Sequence, residues 1–277
     1  MAKTLKRIDA GGIQVVALYN RRSGWETPKE RAAKQKASSA AQRRMNQIYS
    51  YQKLELMLAM NFPTAGSAMV CAATFDDQNM PGSRSEAQLR FKYFLKLLRR
   101  ERKAEQLPEP VVFWAPEILS SESGRWHFHF VLDNTGRDIE MIRRCWIYGS
   151  DVECEKLRKP DGPELPAWLA EAGEDEEPNN LYKALAIYMT KELRECQEYE
   201  TKPGLHGWSC TRNAKKPEID TVTVPDDYEI DPPEDCTVLL NESKSTEYAS
   251  YRVIKFAVGG GCFAPPPRAR RRRRRVA

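Results

Sequence analysis

At 277 residues, with 41% hydrophobic and 30% charged side chains, the chain can bury one substantial core with appendages, or two small domains. Its formal net charge of +5 is segregated: Arg268 and Arg270 to Arg275 exceed it, leaving a remainder that is net negative. No apolar run approaches the length of a membrane span and the N-terminus shows no signal-peptide stretch, so a cytoplasmic protein with no membrane partner is expected.

Residues 1–27 contain Gly11-Gly12 and Trp25 but receive no element; from Pro28 to about Ala59 a long helical pattern runs, rich in bases. Residues 67–75 read as a strand. Ser85 to Glu105 reads as an amphipathic helix with Leu89, Phe91, Phe94, Leu95, Leu97 and Leu98 facing a core, its basic end complementing the helix dipole. Strands follow at 111–118 and 125–133, joined by a hairpin-length connection at 119–124. A helix over 138–146, a short strand near 150–157, an acidic loop over 159–180 and a helix over 180–196 complete the central pattern. Short strands near 220–224, 236–240 and 250–257 sit among acidic loops, and either extend the main sheet or form a small subdomain. The order β-α-β-β-α-β-α predicts an α+β fold, an antiparallel sheet with helices packed on it.

The most informative segment is Trp126-His127-Phe128-His129-Phe130. In a strand, His127 and His129 point to one face, roughly 7 Å apart at Cα, while the aromatic residues point into a core. His-x-His alone is a weak signal for a metal site. Glu117, ten residues upstream, is the carboxylate that would complete the ligand set. Downstream, Tyr188 and Lys191 stand three apart on the helix beginning near residue 180 and share a face. Alone, that spacing is ordinary for an amphipathic helix.

The ordered set resembles the HUH endonucleases, and among them rolling-circle replication initiators similar to the gene II type of filamentous phages. Three parts carry the resemblance: the apolar strand Ala68 to Asp77, with its Thr74-Phe75 pair; the Glu117 and His127/His129 strands; and the Tyr188-x-x-Lys191 helix. Flanking agreement lies at Asn61-Phe62, at Cys145 to Gly149 and at Ser209 to Pro217. Related proteins often double the tyrosine motif; here Ala184 and Ile187 replace the first pair, leaving Tyr188 as the candidate nucleophile. Tyr182 points to another helical face.

The resemblance implies an HUH nuclease with an RRM-like core, the histidine strand central and the tyrosine helix beside it. Tyr188 would attack a DNA phosphodiester, giving a 5′-phosphotyrosine and a free 3′ hydroxyl, with Lys191 stabilising phosphate or phenolate. Glu117, His127 and His129 would bind Mg²⁺ or Mn²⁺. Thr74, Arg212 and Asn213 would contact DNA, and so would Arg270, Arg271, Arg272 and Arg273 of the tail, because phosphate contacts supply most sequence-independent affinity. The implied organisation is a basic, largely helical extension over 1–62 and an endonuclease domain over 63–217. Acidic strands that complete or flank the sheet occupy 218–262, and a disordered Pro/Arg-rich tail 263–277. The partner implied by the resemblance is single-stranded origin DNA. No Gly-x-x-x-x-Gly-Lys-[Ser/Thr] loop occurs, so no P-loop helicase is expected in this chain, and the resemblance implies a separate helicase and polymerase. Seven scattered cysteines without a Cys-x-x-Cys pair fit the reduced cytoplasm of a bacterial host; a nuclear location would require a eukaryotic host. Alternatives are a non-catalytic single-stranded nucleic-acid-binding protein, or an HUH transposase or relaxase; relaxases usually place the tyrosine before the histidines.

Overall fold

The computed structural model describes residues 2–21, 40–64, 66–118, 124–157, 181–191, 206–234, 236–245 and 249–258. In chain order these form β1 (Lys3–Ala10), β2 (Ile13–Arg21), α1 (Ala40–Asn61), β3 (Ala68–Thr74), α2 (Arg84–Ala104), β4 (Val112–Glu117) and β5 (His127–Asp133). Then come α3 (Asp138–Cys145), β6 (Val152–Lys156), α4 (Leu181–Met189), β7 (Ser209–Cys210), β8 (Glu218–Val224), β9 (Thr237–Ser245) and β10 (Ala249–Ala257). The fold is α+β, with two antiparallel five-stranded sheets. The chain divides into two compact units, Ala37–Lys216 and a second built from Met1–Lys36 and Pro217–Ala277.

In the larger unit the strand order is β6-β3-β5-β4-β7, which puts the histidine strand in the middle. Alternation sends Phe128 and Phe130 to the face opposite the imidazoles. There they meet α2 and α3: Phe91 stacks on Phe128 with centroids 4.3 Å apart, and Phe94 meets Phe130 edge-on at 5.6 Å. Such aromatic pairs each add about 0.5–1.5 kcal/mol beyond burial. Ser83 caps α2 by accepting from the Glu86 amide. The other end of α2 differs from the sequence expectation. Arg102 is not a surface complement to the dipole; it is fully buried, donating to Asp138 at 2.6 Å and Asp133 at 2.7 Å. It ties α2 to the end of β5 and the start of α3.

The imidazole face is covered by α1 and α4, which pack on each other. Phe62, just past α1, meets Phe113 of β4 at 5.8 Å, and the Tyr182 hydroxyl on α4 donates to the Phe62 carbonyl. Apolar residues all round α4 (Ala184, Leu185, Ala186, Ile187) are buried, as expected of a helix sandwiched on more than one side.

The second unit holds the correction to the expected helical extension over 1–62. Residues 3–21 form a hairpin, and α1 belongs with the larger unit. Gly11-Gly12 is its two-residue loop: Ala10 pairs with Ile13, Gly11 has φ 67°, and its amide donates to Asp9 Oδ1 at 2.8 Å. The sheet order is β8-β1-β2-β10-β9. The acidic strands beyond residue 217 therefore join the N-terminal hairpin rather than the histidine sheet. Leu5, Val16, Leu18, Val224, Ile254 and Phe256 make one apolar face, packed with Ile230. Residues 28–39 and 119–123, the acidic stretch 158–180, residues 192–205 and the polyarginine tail lie outside the described residues. No helix among the described residues is long and apolar enough to cross a membrane.

Candidate metal centre and active site

Strand register gathers the polar groups. Glu117, last in β4, pairs directly with His127, and Thr74, last in β3, pairs with His127 from the other side. One row across the sheet thus reads Glu117–His127–Thr74. The next row on that face reads Ala115–His129–Ala72–Glu153. The alanines beside His129 leave room above the sheet for its ring and for a phenol arriving from α4.

His129 Nε2 lies 2.7 Å from Glu117 Oε2, and His127 Nε2 lies 3.4 Å from the same oxygen. The ligand atoms of Glu117, His127 and His129 all fall within 4.8 Å of one another. That group could hold a metal ion. Around a cation with bonds of about 2.1 Å, neighbouring ligands stand about 3–4 Å apart, so small side-chain adjustments close the site. The Nδ1 of His127 is 3.3 Å from the Arg125 carbonyl. With its proton there, that ring presents Nε2 as the ligand atom, the usual way an outer partner sets the tautomer.

Tyr188 reaches this group from the last turn of α4. Its hydroxyl is 3.1 Å from His129 Nε2, with ring centroids 4.6 Å apart. The helix then closes in a tight turn, the Lys191 amide donating to the Tyr188 carbonyl at 3.2 Å. This turn swings Lys191 inward: Nζ is 2.6 Å from Glu117 Oε1 and 4.2 Å from the centre of the Tyr188 ring.

Environment sets the charge states. Burial works against an ionised Glu117, but hydrogen bonds from His127, His129 and Lys191 outweigh it and hold the carboxyl far below its ordinary range. His129 is held below its ordinary 6.5, first by burial, against the opposing pull of Glu117. A neutral imidazole beside a carboxylate is the state a metal ligand needs. The Tyr188 phenol is pushed well up, first by burial, then by the negative charges of Glu117 and Glu153.

The structure thus brings together Glu117, His127, His129, Tyr188 and Lys191, with Thr74 at the end of the adjoining strand. Thr74 is fixed through its backbone, its amide donating to the Asp151 carbonyl and its carbonyl accepting from Trp146 Nε1, both at 3.0 Å. Gly149 crosses directly over it, where a Cβ would overlap the Thr74 carbonyl oxygen. Tyr182 stands apart, fully buried with its hydroxyl on the Phe62 carbonyl. Arg212 and Asn213 are exposed beside the Val112 end of β4, a strand length from Glu117. The Asn213 amide donates to the carbonyls of Glu109 and Pro110. Arg270 to Arg273 lie outside the described residues. Glu153, which faces His129 across Ala72, belongs to no motif; its one signal in the sequence is the two-residue alternation of Glu153 and Glu155 in β6.

Comparison with protein-family models, curated proteins and solved structures finds no match to this chain. Its functional reading therefore rests on its own residues.

Proposed function

We propose that this chain is a metal-dependent, single-tyrosine HUH endonuclease, which nicks single-stranded origin DNA, starts rolling-circle replication and rejoins strands. The observation carrying this reading is the 3.1 Å separation of the Tyr188 hydroxyl from His129 Nε2, inside a Glu–His–His group. A phenol, a lysine and three metal-type ligands meeting at one point suit phosphoryl transfer better than an isolated metal site or a binding surface. Topology supports the same reading: β3-α2-β4-β5-α3-β6, with β5 between β3 and β4, is a split βαβ arrangement of the RRM-like kind.

In this scheme the Tyr188 oxygen attacks phosphorus in line with the departing 3′ oxygen. A Tyr–O–P bond forms as the P–O3′ bond breaks, leaving a 5′-phosphotyrosine and a 3′ hydroxyl. The reverse attack by a 3′ hydroxyl rejoins strands. Glu117, His127 and His129 would hold Mg²⁺ or Mn²⁺, whose charge would offset that developing on the phosphoryl oxygens. Because its surroundings keep Tyr188 protonated, its proton leaves as attack proceeds. The departing 3′ oxygen takes up a proton to give the 3′ hydroxyl, so the net transfer is from phenol to leaving group. Lys191, lying over the ring, stabilises the oxygen as it gains charge. The surrounding helices restrict water, and so favour the phenol over hydrolysis. Unwinding and synthesis fall to a separate helicase and polymerase.

The test is formation of a covalent adduct. Incubating the protein with Mn²⁺ and single-stranded oligonucleotides tiled across its own replicon should give a species of retarded mobility on a denaturing gel. Tyr188→Phe and chelation should each abolish it. An adduct that persists in Tyr188→Phe would overturn the assignment, as would the absence of any adduct from all oligonucleotides.

A further inference from the structure

The second sheet carries a surface that the nicking reading does not use. Register divides its side chains into two faces. One is the apolar core face, whose strand charges are balanced: Lys3, Arg7 and Arg252 against Asp9, Glu218 and Asp220. The opposite face is different. One row runs across all five strands as Thr223–Thr4–Tyr19–Tyr251–Lys244. The neighbouring row reads Thr221–Lys6–Ala17–Val253–Glu242. Among the residues whose side chains are described, the strand bases on this face are Lys6, Lys244 and the buried Lys255, and Glu242 is the one strand acid. Lys244 is also the single base between residues 218 and 247, a stretch otherwise dense in acids. Around the tyrosine row the surface is accessible: Tyr251 is 40% exposed, Lys244, Thr221 and Thr223 are exposed, and Thr4, Lys6 and Tyr19 are half-buried. Toward the hairpin end of the same face, Ala10, Ile13 and Lys255 are buried.

We propose that this face binds single-stranded DNA, with Tyr19 and Tyr251 as the floor on which unpaired bases stack and Lys6 and Lys244 as phosphate partners. Directly opposed residues of neighbouring strands hold their Cβ atoms about 5 Å apart, so the two tyrosines stand side by side on this face. The row from Thr4 to Lys244 spans about 14 Å at normal strand spacing. Lys244 flanks the tyrosines in their own row, and Lys6 lies diagonally to the other side. Flat aromatic area with flanking bases and hydroxyls is the chemistry by which sheets hold unpaired nucleic acid. A duplex hides its base faces and would gain only the phosphate contacts. The inference stands apart from the metal centre, which lies in the other unit.

The test uses the full chain carrying Tyr188→Phe, which cannot form an adduct, so binding is read alone. Ultraviolet crosslinking to an oligothymidylate substituted with 5-iodouracil, followed by peptide mapping, should yield crosslinks on β2 and β10. Adding Tyr251→Ala should raise the dissociation constant for the unsubstituted oligothymidylate about tenfold. Adding Lys244→Gln should lower the salt slope by about one counterion. An unchanged affinity with both substitutions, crosslinks absent from β2 and β10, or equal competition by a duplex would each overturn the proposal. The adduct assay on the unsubstituted chain reads the nicking reaction separately, so each idea can fail alone.

Discussion

The central strand of the histidine sheet, β5, buries five consecutive residues from Phe128 to Leu132, whereas β1 of the other sheet buries only Leu5 and Ala10. Both strands obey the same alternation. They differ in what covers them: β5 has helices over both faces, while the charged and aromatic face of the other sheet keeps Tyr251 and Ile219 exposed. The lesson concerns polar groups. Under cover, a carboxylate, two imidazoles and a phenol lose water and shift their proton affinities, so they must satisfy one another or gather an ion. In the open, lysines and tyrosines stay solvated and cost little, so they remain available to a ligand. One sheet buries a cluster of ionisable groups under helices, and the other leaves Tyr251 and Lys244 to solvent.

Several substitutions would break or sharpen this contrast. Removing Arg102 should act most strongly, because Arg102→Ala strands Asp138 without its buried partner. Urea unfolding of that variant should show a loss of about 3–5 kcal/mol. Gly149→Ala should cost about 1–3 kcal/mol, since the new methyl meets backbone rather than a yielding side chain. It should also displace Thr74, visible as altered amide exchange along β3. His129→Ala should weaken Mn²⁺ binding in calorimetry by more than about tenfold, the lower range of loss for an outer-shell partner.

Acid should act in the same direction on two groups of the metal-free protein. The unfolded chain protonates His129 near 6.5 while the folded chain resists, so stability falls as pH drops below that value. Glu117 adds stability above its ordinary 4.5, which is lost progressively as pH falls toward its much lower folded value. Melting temperature should therefore decline from pH 7 downward, and His129→Ala should flatten the upper part of that decline. A flat profile would show that the cluster does not titrate as its burial demands. The smallest effect belongs to the open sheet: Tyr251→Ala should alter folding stability by no more than about 0.5 kcal/mol while changing DNA binding.

Much of the larger unit was legible before its coordinates. Strong periodicity placed β3 to β6, α2 and α3 within a few residues, because each element buries a whole face and shows it as a pattern. The helix α4 starts where expected but ends at Met189, and residues 192–196 of the expected helix lie outside the described residues. The His-x-His strand announced which side chains share a face. The β1–β2 hairpin was passed over although Gly11-Gly12 marked its turn, since basic residues interrupt its apolar alternation. Arg102 looked like one more surface charge, because nothing local distinguishes an exposed arginine from one buried on two aspartates.

Read alone, the amino-acid order determined which residues are chemically equipped for a metal and a nucleophile, because strand and helix periodicity are local properties of the backbone. Tertiary structure decided what the string could not: that Glu117, His127 and Tyr188 meet, that Lys191 turns inward, and that the two chain ends share one sheet. Those are pairings between residues far apart in sequence. They follow from which faces can be buried together, and that is a property of the packed whole rather than of any segment.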